Sequence, residues 1–302
     1  MALVMHVGKP NKNALKVLIA AEYVGVEVKC PENFEMGVSN KTSEFLKMNP
    51  LGKVPVLETP DGVIFESNAI ARYVARLKTD TCSLFGSSPI EYGQIEQWID
   101  FASLEIDLNL LAWLRLRFGL DNYVAAVEEA SIAALKRALS ALNIYLASHN
   151  FLVGDDVTLA DIIMICNLYS GFRFMMTKTF TSEFPHVERY FWTMVNQPNF
   201  SKIIGDLKQT EVVPPIPSKT NPYAKPKDEP KLVENEDETP KPKAKNRLDL
   251  LPPSKMNLDD MEHYAWTKVD LSDEIQKERV NQMIEDHEPF EGKALLDAKC
   301  FK

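Results

Sequence analysis

Two dipeptides in the first third of the sequence could form a site for a peptide-like anion. Val54-Pro55 opens an apparent strand, and Glu66-Ser67 stands where a second strand gives way to a helix. A proline within a strand is confined to an edge or a special turn. A cis peptide at Val54-Pro55 would re-aim the strand and leave the Val54 backbone free to pair outside the sheet. At Glu66-Ser67 the unpaired N–H groups and dipole of a helix N-terminus favour a carboxylate. Ser67 equally admits a structural reading as the helix N-cap, and spacing alone leaves both open.

Thr158 and Asp161 form a third pair, with capping-box spacing ahead of the apolar run Leu159 to Phe172. Val157 and Ile162 are placed for the accompanying hydrophobic staple. This pair reads as structural, and no catalytic residue is assigned. The 5 histidines lack metal-ligand spacing, and Cys30, Cys82, Cys166 and Cys300 include no C-x-x-C pair. The pattern predicts neither a metal centre nor a disulfide framework.

The elements that must position these residues follow from periodicity. Leu3 to Val7 reads as a strand, Ala14 to Tyr23 as a helix ended by Gly25, and Val26 to Cys30 as a half-buried strand. Thr42 can cap a short helix carrying Phe45 and Leu46. Val54 to Leu57 and Val63 to Phe65 are strands joined by a Thr59-Pro60-Asp61-Gly62 turn, and Ile70, Tyr73, Val74 and Leu77 recur at helical spacing. The order is that of a thioredoxin-like domain. Ile90 to Leu116, Val124 to His149, Val157 to Phe172 and a helix stopped near Pro198 make the next part all-helical.

From Val213 the texture changes. Ten prolines fall between Pro214 and Pro253 among mixed Lys and Glu, which predicts an extended, disordered linker. Residues 256–302 are short for an independent domain, with one helix, partly populated, expected from Ser272 to Asp286. A net charge of -9 disfavours nucleic acid, and the acidic run Glu234 to Glu238 beside Lys241 to Lys245 fits a solvated spacer. No signal peptide and no run of membrane-spanning length is present, so a cytoplasmic protein is expected.

Val54-Pro55 followed by Glu66-Ser67-Asn68-Ala69-Ile70 resembles the glutathione-site signature of the glutathione transferase superfamily. The resemblance covers roughly residues 1–210. It implies that the backbone beside Pro55 pairs with the cysteinyl part of glutathione, that Glu66 and Ser67 hold its γ-glutamyl end, and that Thr158 to Asp161 is the family's internal capping box. In that superfamily a Tyr, Ser or Cys near the end of the first strand activates the thiol. Residues 1–22 contain none of these; His6, Asn11 and Asn13 are the polar candidates there, and Lys9 and Lys12 supply charge. A bound thiol would then keep a pKa near its free value.

Longer strings, among them "IEQWIDFASLEI", "NRLDLLPPSKMNLDD" and "EPFEGKALLDAKCFK", resemble the gamma-subunit family of eukaryotic translation elongation factor 1 in its plant-like form. This resemblance implies a non-catalytic scaffold that docks the beta- and delta-type nucleotide-exchange subunits and, through them, the alpha factor. It also implies a homodimer through the transferase-like domain, with no direct nucleic-acid contact. No cofactor follows from it, and glutathione enters only as a ligand. The expected plan is a thioredoxin-like domain at 1–82, a helical transferase domain at 88–212, a linker at 213–255 and a truncated remnant at 256–302. The body of the family's C-terminal domain is absent between Asp260 and Met261.

Overall fold

The structure, a computed structural model, describes residues 3–8, 11–78 and 84–217. The linker after Pro217, the remnant and the helix expected from Ser272 to Asp286 lie outside the described residues.

β1 (Leu3–His6) buries Leu3 and Met5, and leads into α1 (Lys12–Val24). Asn11 caps that helix, its Oδ1 accepting from the Asn13 and Ala14 N–H groups at 3.0 and 3.3 Å. Gly25 ends it at φ 63°, a left-handed turn that costs glycine no Cβ clash. β2 (Val28–Lys29) is shorter than its alternating pattern predicts, because only two residues pair with β1. α2 (Ser43–Met48) is capped by Thr42, as expected. β3 (Val56–Thr59) and β4 (Gly62–Phe65) form a hairpin whose turn is held by Thr59 Oγ1, which donates to the Gly62 carbonyl at 2.8 Å. α3 (Ser67–Ala75) completes the domain.

The sheet runs β2-β1-β3-β4, with β1 parallel to β2 and antiparallel to β3. Two details differ from the sequence reading. Pro55 precedes β3 instead of lying inside it, so no ladder hydrogen bond is lost. Ser67 is the first residue of α3, and the N-cap is Glu66.

The helical part starts with one long rod: α4 (Pro89–Phe101), a π-helical stretch (Ala102–Asp107) and α5 (Leu108–Arg117). A π turn leaves carbonyls without their usual partner. Ala102 O is met by Asn167 Nδ2 at 2.9 Å and Glu105 O by Asn109 Nδ2 at 2.7 Å. α6 (Ala125–Leu146) follows, then α7 (Leu159–Phe174), which is buried on all sides from Leu159 to Tyr169 and forms the centre of the core. Pro198 follows the end of α9 (Pro185–Val195), as its residue type predicts, and also starts α10 (Pro198–Ile204), the first helical position being one where its missing N–H costs nothing. A single turn, α8 (Lys178–Thr181), had no sequence signal strong enough to find. None of the described helices is long and apolar enough to cross a membrane.

Candidate functional site

Pairing in the sheet decides what meets at its end. Val56 pairs with Phe65 across the β3–β4 hairpin and with His6 across β1–β3. One step further along the ladder sets Pro55 opposite Glu66. Val54-Pro55 and Glu66-Ser67 therefore converge, at the sheet end from which α1 and α3 also depart. The Val54–Pro55 peptide is cis, and Val54 lies outside the β3 ladder with its backbone unpaired by the sheet.

Glu66 takes φ 73° and ψ 114°, a conformation that costs a non-glycine residue about 1–3 kcal/mol. Its side chain makes no cap hydrogen bond, and among the described residues no side chain is seen to accept from the first turn of α3. Ser67 Oγ donates to Asn13 Oδ1 at 3.4 Å, which joins the N-termini of α1 and α3. Asn68, one residue on, bridges two elements: its Oδ1 accepts from Lys16 Nζ at 3.0 Å and its Nδ2 donates to Ser103 Oγ at 3.0 Å. Ser103 in turn donates to the Ile99 carbonyl at 2.8 Å, so the chain of hydrogen bonds ends in the long helix.

Burial pushes the Lys16 ammonium down to about 8, against the pull of the Asp107 and Glu66 carboxylates. Burial likewise pushes the Cys166 thiol up to about 12, so it is a neutral, inert side chain. Lys12 forms an ion pair with Asp107, the last residue of the π stretch. Among the polar candidates near the first strand, Asn11 is a cap, Asn13 meets Ser67, and His6 turns away to Glu58 at 3.0 Å. Lys9 lies outside the described residues.

Beside these groups opens a cavity of about 380 Å³, lined by Asn11, Lys12 and Asn13 from α1 and by apolar Leu110, Leu114 and Phe174. Tyr169 and Ser170 contribute hydroxyls from α7, with Tyr169 accepting a hydrogen bond from Arg173. The larger cleft, about 680 Å³, lies between Tyr23, Phe151 and Asp155 and shares no residue with the convergent group. Among the described residues no group of His, Cys, Asp or Glu could hold a metal ion.

Thr158 and Asp161 form the capping box of α7. Asp161 Oδ2 accepts from the Thr158 N–H and hydroxyl at 2.8 and 2.9 Å, and Oδ1 accepts from the Leu152 N–H and the Tyr190 hydroxyl at 2.9 and 2.8 Å. Burial raises its pKa, and these four bonds oppose the rise. Sequence reasoning missed Lys16, Ser103 and Asp107, and took Asn68 only as part of the string after Glu66-Ser67, with no role of its own.

Models of the glutathione S-transferase N-terminal and C-terminal domains match residues 1–76 and 108–198. Elongation factor 1-gamma of Prunus avium is 49% identical over 424 aligned positions, covering all of both chains, and the probable elongation factor 1-gamma 1 of Arabidopsis thaliana is 50% identical over 415, again covering both in full. The chain belongs to the elongation factor 1-gamma family. The human elongation factor 1-gamma is 38% identical over 205 residues, 67% of this chain and 46% of its own length. Against the Prunus relative, 424 aligned positions for 302 residues leave at least 122 with no residue of this chain opposite.

Solved structures give the same fold for the family's body. The transferase-like domain of elongation factor 1-gamma from Saccharomyces cerevisiae superposes with a TM-score of 0.63 at 17% identity, covering 72% of this chain and 99% of that one. The glutathione transferase URE2P6 of Phanerochaete chrysosporium, solved with oxidized glutathione, gives 0.62 at 23% identity over 67% of this chain and 94% of its own.

Proposed function

We propose that this member of the elongation factor 1-gamma family is a cytoplasmic scaffold subunit of the translation elongation factor 1 complex. Its transferase-like body docks the nucleotide-exchange subunits, and the site at Val54, Pro55, Glu66 and Ser67 holds the backbone of a glutathione-type ligand without activating its thiol. The observation that carries the non-catalytic reading is the first turn of α1. It presents Asn11, Lys12 and Asn13 to the cavity, and each is already engaged, in a cap, an ion pair and a hydrogen bond. A thiol lowered there would meet no free hydroxyl or thiolate partner from that turn.

The docking reading is supported by an apolar stripe. Leu104, Leu108 and Leu111 recur at i, i+4 and i+7 on the outside of the long helix, at 59, 56 and 38% exposure. Val63 and Phe65 on the edge strand β4 are exposed as well. Large exposed apolar stripes of this kind mark protein contacts. A second copy of the chain is the other occupant such a face would suit.

Affinity capture with the full chain should recover beta-type exchange subunits from cytosol, and the Leu104→Glu/Leu108→Glu variant should recover several-fold less while keeping its helical circular dichroism. Recovery of none by the wild-type chain defeats the scaffold reading. Calorimetry should detect glutathione binding, whereas conjugation to a generic electrophile should be weak or absent. A robust rate abolished by Ser67→Ala would establish the alternative, an active glutathione transferase.

A further inference from the structure

Along the long helix Leu104, Leu108, Leu111, Arg115 and Phe118 stand alternately four and three residues apart, and the four apolar ones are all exposed. That alternation is the spacing with which one helix receives a second lengthwise. The stripe leads into a hollow. Leu111 and Leu114 are also walls of the cavity of about 380 Å³, together with Phe174 of α7. Phe118 packs edge-on against Phe174, with ring centroids 5.7 Å apart at 81°. Stripe and cavity are therefore one continuous groove. At its rim the Arg173 guanidinium lies 5.0 Å from the Phe174 ring and 5.6 Å from the Tyr169 ring. Arg173 is exposed and donates to the Tyr169 hydroxyl, and among the described residues it has no carboxylate partner. The neighbouring cations differ: Lys12 holds Asp107, Arg115 holds Asp121 and Arg117 holds Glu128. In a chain of net charge -9, the cation beside this apolar groove is left unpaired.

We propose that this groove seats one amphipathic helix of a protein partner. Its apolar face lies along Leu104, Leu108, Leu111 and Phe118, one bulky apolar side chain enters the cavity, and a carboxylate meets Arg173. The inference rests on the docking reading above and gives it a partner chemistry. In such an arrangement the apolar anchor supplies the affinity, and the rim charge supplies orientation and association rate. Arg173 is held ready for this role. Stacking on Phe174 and the bond to Tyr169 fix its planar guanidinium and leave donors free for a carboxylate. A second copy of the chain fits less well. In a twofold self-contact Arg173 meets this same face, where Glu105, Asp107 and Asp121 already hold Arg137, Lys12 and Arg115. A helix that carries its own carboxylate supplies the missing charge.

Photo-crosslinking of the full chain reads this directly, with p-benzoylphenylalanine placed at Leu111 and a recombinant beta-type exchange subunit as the probe. The crosslink should map to a helical segment of that subunit with apolar residues three and four apart and an Asp or Glu beside them. Titration should show binding weakened about threefold by Arg173→Gln and about tenfold by Arg173→Glu, the wild-type advantage shrinking as salt is raised. Circular dichroism of both variants should match the wild type, since the side chain is exposed. Binding without a crosslink, and equal for all three chains, overturns the groove and leaves docking to another surface. A crosslink with no loss in either variant overturns the carboxylate contact. A crosslink to a second copy of the chain in place of the subunit overturns the assignment and makes the groove a self-interface. No binding by the wild-type chain defeats the docking reading itself, and this inference with it.

Discussion

Lys16 sits between Leu15 and Val17, and nothing in its identity separates it from a solvent-facing lysine on an amphipathic helix. Its face does. Ala20 and Val24, one and two turns on, are buried, so a lysine in that register had to be covered too. Leu15, Leu18 and Ile19 mark an apolar face by their spacing, but helical spacing says which positions share a face and not what packs there, so the burial of Lys16 is not legible from it. The burial has a consequence that needs no ligand. With the folded pKa lowered to about 8 from 10.5, the cost of burying the charge is fully present below pH 8. As pH rises from 8 towards 10.5 the native state releases the proton while the unfolded state still holds it, so stability rises. Urea unfolding of wild type and Lys16→Met at pH 7.0 and 9.5 should show the difference moving in favour of wild type by about 2 kcal/mol. A difference that does not change with pH would mean that Lys16 is solvated.

At the scale of elements, legibility followed the locality of the cause. Thr42, Gly25 and the Thr158–Asp161 box act within a few residues of themselves, and each was read from sequence and found in place. The π stretch was not readable. Its carbonyl at Ala102 is answered by Asn167, 65 positions away, and the run contains no glycine or proline to announce a break. The positive φ of Glu66 was equally silent, since a glutamate gives no hint of a glycine-like conformation. Asp161 does more than cap α7: through Leu152 and Tyr190 it also fixes the preceding loop and α9. Asp161→Ala would leave four donors short of an acceptor in the core. A loss of about 3–5 kcal/mol is expected, with Asp161→Asn falling in between. Thermal melts of the two variants check this, and a loss below about 1 kcal/mol for the alanine variant would show that water replaces the carboxylate.

For the whole molecule, the order of strands and helices announced a thioredoxin-like domain followed by a helical one. The boundary of the body was harder to see, because a proline-rich composition begins before the packing ends. Thr210 N donates to the Phe172 carbonyl at 3.0 Å, Gln209 Nε2 to the Met176 carbonyl at 2.9 Å, and Arg117 Nη1 to the Pro214 carbonyl at 3.0 Å. Arg117 is itself held by Glu128, a carboxylate also bound by Trp113 Nε1 at 2.8 Å and the Tyr123 hydroxyl at 2.7 Å. Leu207 and Val213 pack against the core on the same path. A chain ending after Pro217 keeps every one of these contacts, so its melting temperature should match that of the full chain within ~2 °C. A chain ending after Ile204 loses these three hydrogen bonds and a fourth, from Gln209 Nε2 to Thr181 Oγ1 at 3.1 Å, at about 1 kcal/mol each, as well as the two apolar contacts. For a body of this size that corresponds to a melting temperature lower by roughly 8–16 °C. Calorimetric scans of the two shortened chains beside the full one make the comparison. Equal melting of both would show that the segment from 205 to 217 rests on the surface without holding it. A drop confined to the shorter chain would place the structural end of the body inside the proline-rich run.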